Sequence, residues 1–270
     1  MGYTLEEVRV GAKRELFRAG PRMRFVMPRI SVRVTTWVLN HAPWATPNQV
    51  TLVSAVLGIA AGVCLLALGG VVPAVAAFFL YQLHILSDYV DGELARVNHL
   101  ESVKGAYYDL IVGRLTKPVV LYSAVIGTWF SHRGAQGASL DLVFGTLIVA
   151  GFLLDKEAVD VWYRANQGGT VENPYVVRSE QAFNGPRRII VRVVVALTSI
   201  QAFLVYQIVA AIALLLGAGH FTLFGTYDVT PRSAILIPYA IAFPALAVAR
   251  SIYIARTGHI PRRQDLVRDA

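Results

Sequence analysis

The chain has 270 residues, of which 55% are hydrophobic and only 16% are charged, and its mean hydropathy is +0.52. A soluble domain carries about 25% charged residues, so this composition predicts an integral membrane protein and excludes disorder or nucleic-acid binding as the main theme. The net charge of +8 is typical of cytoplasmic loops, and the single cysteine, Cys64, excludes an intramolecular disulfide.

The first 45 residues are basic and amphipathic and lack the apolar core and cleavage site of a signal peptide. Residues 25–40 alternate arginines with apolar side chains and are too charged to cross a bilayer. We therefore expect a helix that lies in the membrane interface, with its arginines toward anionic headgroups.

Six apolar segments follow, and they predict an all-α, polytopic protein with six transmembrane helices. About 20 apolar residues cross the hydrocarbon core of a bilayer. The predicted division of the chain is an interfacial segment (1–45), a six-helix membrane domain (46–256) and a basic tail (257–270). The predicted spans are residues 50–69, residue 73 into the sequence SDYVDGELAR, 105–130, 140–163, 189–217 and 233–255.

The charges of the connections predict the orientation. Arginine and lysine are concentrated in the N-terminal segment, in connections 96–104 and 164–188, and in the tail. The opposite connections are 69–72 with no charge, 131–139 with Arg133, and 218–232 with Arg232 at its edge as the only basic residue. The positive-inside rule then places both termini in the cytoplasm, and we expect a bacterial cell (inner) membrane.

Charged residues cluster at the predicted cytoplasmic ends of four spans, where they predict one polar cavity. Snorkelling side chains and structural ion pairs are the alternative for individual members such as Asp160 and Arg192. The residues are Asp88, Asp91, Glu93 and Arg96 in the second span, Asp109, Arg114 and Lys117 in the third, Asp155, Lys156, Glu157 and Asp160 in the fourth, and Arg188 and Arg192 in the fifth.

Three carboxylates in this set suggest a divalent cation. Asp88 and Asp91 are spaced i,i+3 and share one helical face, and Asp109 on the next helix can face them. Such carboxylates repel one another unless a cation lies among them, and hard oxygen ligands suit Mg²⁺ or Mn²⁺ bridged to phosphate. The small residues Gly92 and Ala95 let a ligand approach the backbone.

The stretch Asp88-Tyr-Val-Asp91-Gly92-Glu-Leu-Ala95-Arg96, eight residues, then Gly105-Ala-Tyr-Tyr-Asp109 resembles the signature of the CDP-alcohol phosphotransferase (CDP-alcohol phosphatidyltransferase) family, and residues 46–51 resemble the opening of that family's first span. Seven of the eight fixed positions of the signature, over residues 88–109, are present. The resemblance implies a six-helix fold, usually a homodimer, with a two-metal site at the cytoplasmic surface. Such enzymes make phospholipids by moving a substituted phosphoryl group from a CDP-linked donor to an alcohol with release of CMP.

The resemblance also implies roles for single residues. Asp88, Asp91 and Asp109 would hold Mg²⁺ or Mn²⁺, and a donor such as CDP-diacylglycerol or a soluble CDP-alcohol would bind beside them. Basic residues would bind a phosphorylated polar alcohol such as inositol phosphate or glycerol phosphate, because arginine pairs phosphate bidentately. The nucleotide site would include Asn48, Thr51, Asp88, Gly92, Ala95, Arg96, Gly105 and Asp109, and the acceptor site Arg114, Lys117, Lys156, Arg188 and Arg192.

The eighth signature position, where the family has its proposed general base, is Gly113 in this chain. Asp155 or Glu157 could replace that carboxylate, or the enzyme could work with a depleted metal site. Alternatively, the chain is a catalytically silent relative that binds nucleotide or lipid or acts as a scaffold. A transporter fits six spans but does not explain the aspartate spacing.

Neighbouring polar residues favour ordinary roles. We expect His84 to pack between helices with a bond to a carbonyl group, and Glu93 to face away from Asp91 because i+2 positions lie on different faces. Tyr107 and Tyr108 are typical interfacial aromatics.

Overall fold

A computed structural model describes residues 2–12, 23–66, 70–165, 199–219, 221–223 and 227–257. Over these ranges the chain forms eight helices and one two-stranded antiparallel sheet. The helices are α1 (Leu5–Gly11), α2 (Met23–His41), α3 (Pro47–Leu66), α4 (Val71–Val97), α5 (Val103–His132), α6 (Ser139–Ala165), α7 (Ile200–Leu215) and α8 (Pro231–Thr257), and the strands are β1 (Phe221–Leu223) and β2 (Tyr227–Val229).

Four helices are long and apolar enough to cross a membrane within the described ranges, namely α3, α4, α5 and the Pro231–Ala249 part of α8. They coincide with the predicted first, second, third and sixth spans. Helices α6 and α7 lie where the sequence predicts the fourth and fifth spans, but α6 is charged at both ends and α7 has 16 residues. Residues 189–198 of the predicted fifth span lie outside the described residues. The four candidate helices of the described ranges are consistent with an integral membrane protein, and the number six stays a prediction.

Helices α3 and α5 run side by side in unusually close contact because glycines line their interface. A Cβ atom at Gly58 would collide with the side chain of Thr116, and one at Gly127 would collide with the backbone of Leu65. A Cβ atom at Gly62 would lie 3.0 Å from the hydroxyl of Ser123. Small residues allow such approach between membrane helices, where packing rather than the hydrophobic effect drives association.

The apolar core lies among α3 to α8, and its largest fully buried members are Leu121, Ile148, Phe203, Leu204 and Leu236. The outward face of α3 is exposed and apolar, as expected for a surface toward lipid. Its exposed residues include Leu52, Val56, Ile59 and Val63.

The N-terminal helices pack on α4. Helix α2 covers the predicted helix 25–40 and buries the four-residue repeat of Met27, Ser31, Thr35 and Leu39, while its Arg29, Arg33 and Trp37 are exposed. The prediction that this helix lies in the membrane interface is not tested. Helix α1 begins with a capping box between Thr4 and Glu7, and its Val8 joins a small apolar cluster with α2 and α4.

The sheet was not foreseen from the sequence, which gives only a short loop for connection 218–232. Its second strand carries Tyr227, whose hydroxyl donates to Oδ1 of Asp141 at 2.6 Å, while Nδ1 of His132 lies 2.8 Å from Oδ2 of the same carboxylate. Burial, reinforced by the hydrogen bond and the charge of Asp141, raises the pKa of the Tyr227 phenol above its usual range. The phenol therefore stays protonated as a donor and fastens the hairpin to the α5–α6 connection.

Candidate functional site

The motif carboxylate Asp91 lies on α4 and contacts α3. Asp91 is only 4% exposed, and the hydroxyl of Thr51 donates to its Oδ2 at 2.6 Å. Asp91 also interacts electrostatically with Asp109 on α5 and with Asp88 one turn earlier on α4. The structure thus places Asp91 within electrostatic range of Asp88 and Asp109, and their joint role in binding a metal stays a prediction.

The three aspartates suit a metal ion by the type of their donor atoms, but not by how closely they are gathered. Three carboxylates supply the hard oxygen donors that Mg²⁺ and Mn²⁺ prefer. Within the ranges that the structure describes, however, no three His, Cys, Asp or Glu side chains are gathered closely enough to hold a metal ion. The metal site therefore stays a prediction that rests on the kind of donors present.

One to two turns deeper in the membrane, His84 joins α4 to α3. It is 2% exposed, and its Nδ1 lies 3.0 Å from the carbonyl oxygen and 2.8 Å from the hydroxyl of Ser54. This confirms the expected helix-packing role. His84 also interacts electrostatically with Asp88 and with Lys117 of α5, and acceptor binding by Lys117 stays a prediction.

The rim of the site forms where α5 begins. Ser102 caps α5 by accepting a hydrogen bond from the Gly105 amide at 3.0 Å. A Cβ atom at Gly105 would lie 3.1 Å from the Ser102 hydroxyl and 3.5 Å from Oδ1 of Asn48. The start of α5 thus lies beside the start of α3, and two predicted nucleotide-binding residues, Asn48 and Gly105, are neighbours. Gly92 and Ala95 lie half-buried on α4.

Two charged residues of α4 contact the N-terminal helices. Nε of Arg96 donates to the backbone oxygen of Ala12, at the end of α1, at 2.8 Å. Glu93 is 3% exposed and accepts hydrogen bonds from Ser31 and Thr35, both at 2.6 Å. The prediction that Glu93 faces away from Asp91 is confirmed, and a phosphate contact of Arg96 stays a prediction.

The position of the missing fourth aspartate is open. Apart from its own helical turn, no atom of the described residues lies within 4 Å of a Cβ atom built on Gly113. The adjacent Arg114 forms an ion pair with Glu157 of α6, with 3.7 Å between Nη1 and Oε1. Glu157 thus reaches across to α5 beside Gly113, whereas Asp155 is half-buried two residues earlier.

Several of the predicted site residues lie outside the ranges that the structure describes. The side chains of Lys156 and Asp160 and all of residues 166–198, with Arg188 and Arg192, lie outside the described part of the structure. Tyr107 and Tyr108 are exposed, as expected for interfacial aromatics.

Sequence reasoning missed the residues that support the site from α2. Ser31 and Thr35 are spaced i,i+4, which marks a polar face but not its partner. It also missed the link of Thr51 to Asp91, since a threonine at the start of an apolar helix does not reveal which carboxylate it meets.

Residues 44–255 match the CDP-alcohol phosphatidyltransferase family. Because the match covers most of the chain and includes the aspartate motif, the protein belongs to this family, and the resemblance drawn from the motif is confirmed.

Two archaeal proteins are similar to parts of the chain. A bifunctional IPC transferase and DIPP synthase of Thermococcus kodakarensis is 40% identical over 91 residues, which are 34% of this chain and 19% of that protein. A protein of the same name from Archaeoglobus fulgidus is 29% identical over 127 residues, 47% of this chain and 24% of that protein. The chain thus matches a quarter or less of either relative. The family and these names indicate CDP-alcohol phosphotransferase activity in general.

Proposed function

We propose that this protein is an active membrane transferase that moves a substituted phosphoryl group from a CDP-linked donor to an alcohol, with release of CMP. With CDP-diacylglycerol the group is phosphatidyl and the product a phospholipid. The observation that carries the proposal is the buried carboxylate of Asp91, bonded to Thr51 and within electrostatic range of Asp88 and Asp109. A carboxylate used only for packing has no reason to be surrounded by like charges.

Asp88, Asp91 and Asp109 would hold Mg²⁺ or Mn²⁺. When bound, such an ion neutralises the donor diphosphate and favours departure of CMP. Thr51 fixes one oxygen of Asp91 and so orients that carboxylate. Asn48 and Gly105 would border the nucleotide, because the close approach of α3 and α5 places them together.

In the reaction, the acceptor oxygen forms a bond to the phosphorus that carries the transferred group. The bond from that phosphorus to the bridging oxygen breaks, and the bridging oxygen leaves with CMP. The acceptor proton must pass to a base. We assign this role to Glu157, because Arg114 holds it beside the open position 113.

The acceptor would be a phosphorylated polar alcohol. Arg114 and Lys117 both border the site from α5, and a cationic pair suits a phosphate group. Inositol phosphate and glycerol phosphate both meet this requirement.

The site would lie at the cytoplasmic surface of the membrane, in a homodimer. Connection charges favour cytoplasmic termini. Reporter fusions at both ends should give cytoplasmic signals, and an exterior signal from either end would separate the site from cytosolic CDP compounds. Cross-linking in native membranes should trap a species of twice the monomer mass.

The activity is tested by incubating purified protein with Mn²⁺, CDP-diacylglycerol or a soluble CDP-alcohol, and a panel of alcohols. CMP should appear only when donor, acceptor and Mn²⁺ are all present. EDTA should abolish its release, and added Mn²⁺ should restore it. Folded protein that releases no CMP with any pair would overturn the proposal.

Gly113 favours a second candidate, a silent relative that binds nucleotide without turnover. Calorimetry with CDP and Mn²⁺ distinguishes the two: binding without CMP release for any substrate pair supports the silent relative.

A further inference from the structure

A small cavity lies at the end of the bundle opposite the motif. It is lined by residues of α3, α4, α5, α7 and α8 and has room for little more than one water-sized group. Its walls include the small residues Cys64, Ala74 and Ala124. Because Cys64 is 13 residues beyond Thr51 on α3, the cavity is about 20 Å from the aspartate site.

Two buried donors line this cavity. Gln207 of α7 is 3% exposed and Arg232 of α8 is 6% exposed. Nε of Arg232 and Nε2 of Gln207 are buried and have no hydrogen-bond partner among the described residues. No carboxylate of the described ranges forms an ion pair with Arg232 either. The cavity therefore combines one positive charge and two N–H donors with otherwise small or apolar walls.

A buried arginine beside a buried amide donor is unfavourable when no anion or acceptor lies next to them. A buried cation needs a counter-charge, and buried donors need acceptors. The helix adds to the problem, because Arg232 lies in the first turn of α8, where the helix dipole is positive. Thr230 and Ser233 cap this turn through each other and leave the guanidinium to the cavity.

We propose that this cavity binds a small monatomic anion, chloride under ordinary conditions, held by Nε of Arg232 and Nε2 of Gln207. An anion supplies both the counter-charge and the acceptor, whereas a water molecule supplies only the acceptor. The size of the cavity excludes a lipid headgroup. Since the cavity joins α7 and α8 to the ends of α3, α4 and α5, the bound anion stabilises the packing of these helices.

The test measures thermal unfolding of the purified full chain in detergent at constant ionic strength, with chloride replacing gluconate. A ligand at several times its dissociation constant should raise the melting temperature of the wild type by roughly 2–4 °C. Arg232→Gln and Gln207→Leu should lose this dependence. Arg133→Gln is the matched control, because Arg133 is an exposed arginine at the same end of the bundle and its loss should leave the chloride effect intact.

Anomalous diffraction from bromide-soaked crystals of the wild type tests the anion site without any variant. An anomalous peak within hydrogen-bond distance of Arg232 and Gln207 supports the proposal. It is overturned by the absence of that peak, by a wild-type melting temperature that ignores chloride, or by equal chloride effects in wild type and Arg232→Gln. A response to phosphate but not to halides also overturns it, in favour of an oxyanion site.

Discussion

Asp91 and Asp141 are both buried carboxylates, one at each end of the bundle, and their surroundings are opposite. Asp141 is 0% exposed and receives a hydroxyl on one oxygen and a histidine nitrogen on the other. Asp91 receives the Thr51 hydroxyl and lies within electrostatic range of two further carboxylates.

The difference separates a structural carboxylate from a binding one. The partners of Asp141 are neutral or opposite in charge and satisfy both of its oxygens, so it closes a network. The charged neighbours named for Asp91 share its charge, and a bound cation would relieve their repulsion. Glu93, two residues from Asp91 but bonded to two hydroxyls, belongs with Asp141.

We expect the largest effect from a substitution of Asp91, the carboxylate assigned to binding. Asp91→Asn keeps an acceptor for Thr51 but removes the charge. We expect CMP release to fall by roughly 10³-fold, because several kcal/mol of charge stabilisation are lost, while the melting temperature stays near that of the wild type. Calorimetry with CDP and Mn²⁺ gives a second reading, and equal affinity in both proteins would count decisively against the site.

The proposed base comes next. Glu157→Gln should lower CMP release by roughly 10²-fold, toward the low end of the range for a general base. The ion pair with Arg114 is largely exposed, so its loss should leave stability unchanged. Turnover that is independent of this substitution across the pH range would remove Glu157 from the mechanism.

Restoring the family carboxylate sharpens that result. Gly113→Asp places the side chain i+4 from Asp109, where no neighbouring helix of the described ranges comes within 4 Å of its Cβ atom. It should raise CMP release by roughly tenfold or more in the Glu157→Gln background. Loss of a mid-helix glycine should leave stability equal or slightly higher. Failure of this rescue in a folded double variant would show that position 113 no longer faces the acceptor.

A substitution of Asp141, the structural carboxylate, should lower stability and leave turnover unchanged. Asp141→Asn weakens two buried hydrogen bonds, so we expect a loss of about 1–3 kcal/mol in the free energy of unfolding. CMP release per folded molecule should be unchanged. Thermal unfolding and an assay normalised to folded protein check this, and a selective loss of activity would mean that the two ends are coupled.

We expect the smallest effect from a substitution of Glu93, which tests whether Glu93 and Asp91 differ in their role in turnover. Glu93→Gln keeps one acceptor for the hydroxyls of Ser31 and Thr35, which predicts a loss of about 1 kcal/mol in stability. Turnover should stay at the wild-type level. If Glu93→Gln and Asp91→Asn reduce CMP release equally, the distinction drawn from their partners is wrong.

Local pattern was enough to predict the helices that carry the aspartate motif and the different orientations of Asp91 and Glu93. The i,i+3 spacing of Asp88 and Asp91 and the i+2 position of Glu93 follow from helix geometry alone. The apolar runs predicted α3, α4 and α5 to within about three residues, because length and hydropathy govern a span.

Contacts between distant segments could not be predicted in this way. The loop-charge pattern places Arg232 at the edge of a connection, but the structure buries it at the start of α8. The strands of the hairpin have three residues each, too few for a periodic pattern. His132 and Asp141 lie across a turn, and only the fold shows that Tyr227, 86 residues after Asp141, completes their network.

The glycine contacts between α3 and α5 also limit how the bundle can open. Sliding one helix along the other would bring larger side chains into the close contacts at Gly58, Gly62 and Gly127, where there is no room for them. We therefore expect these two helices to move together, with Thr51 and Asp109 keeping their relative positions. A lipid that enters or leaves sideways would then pass between other helices of the bundle.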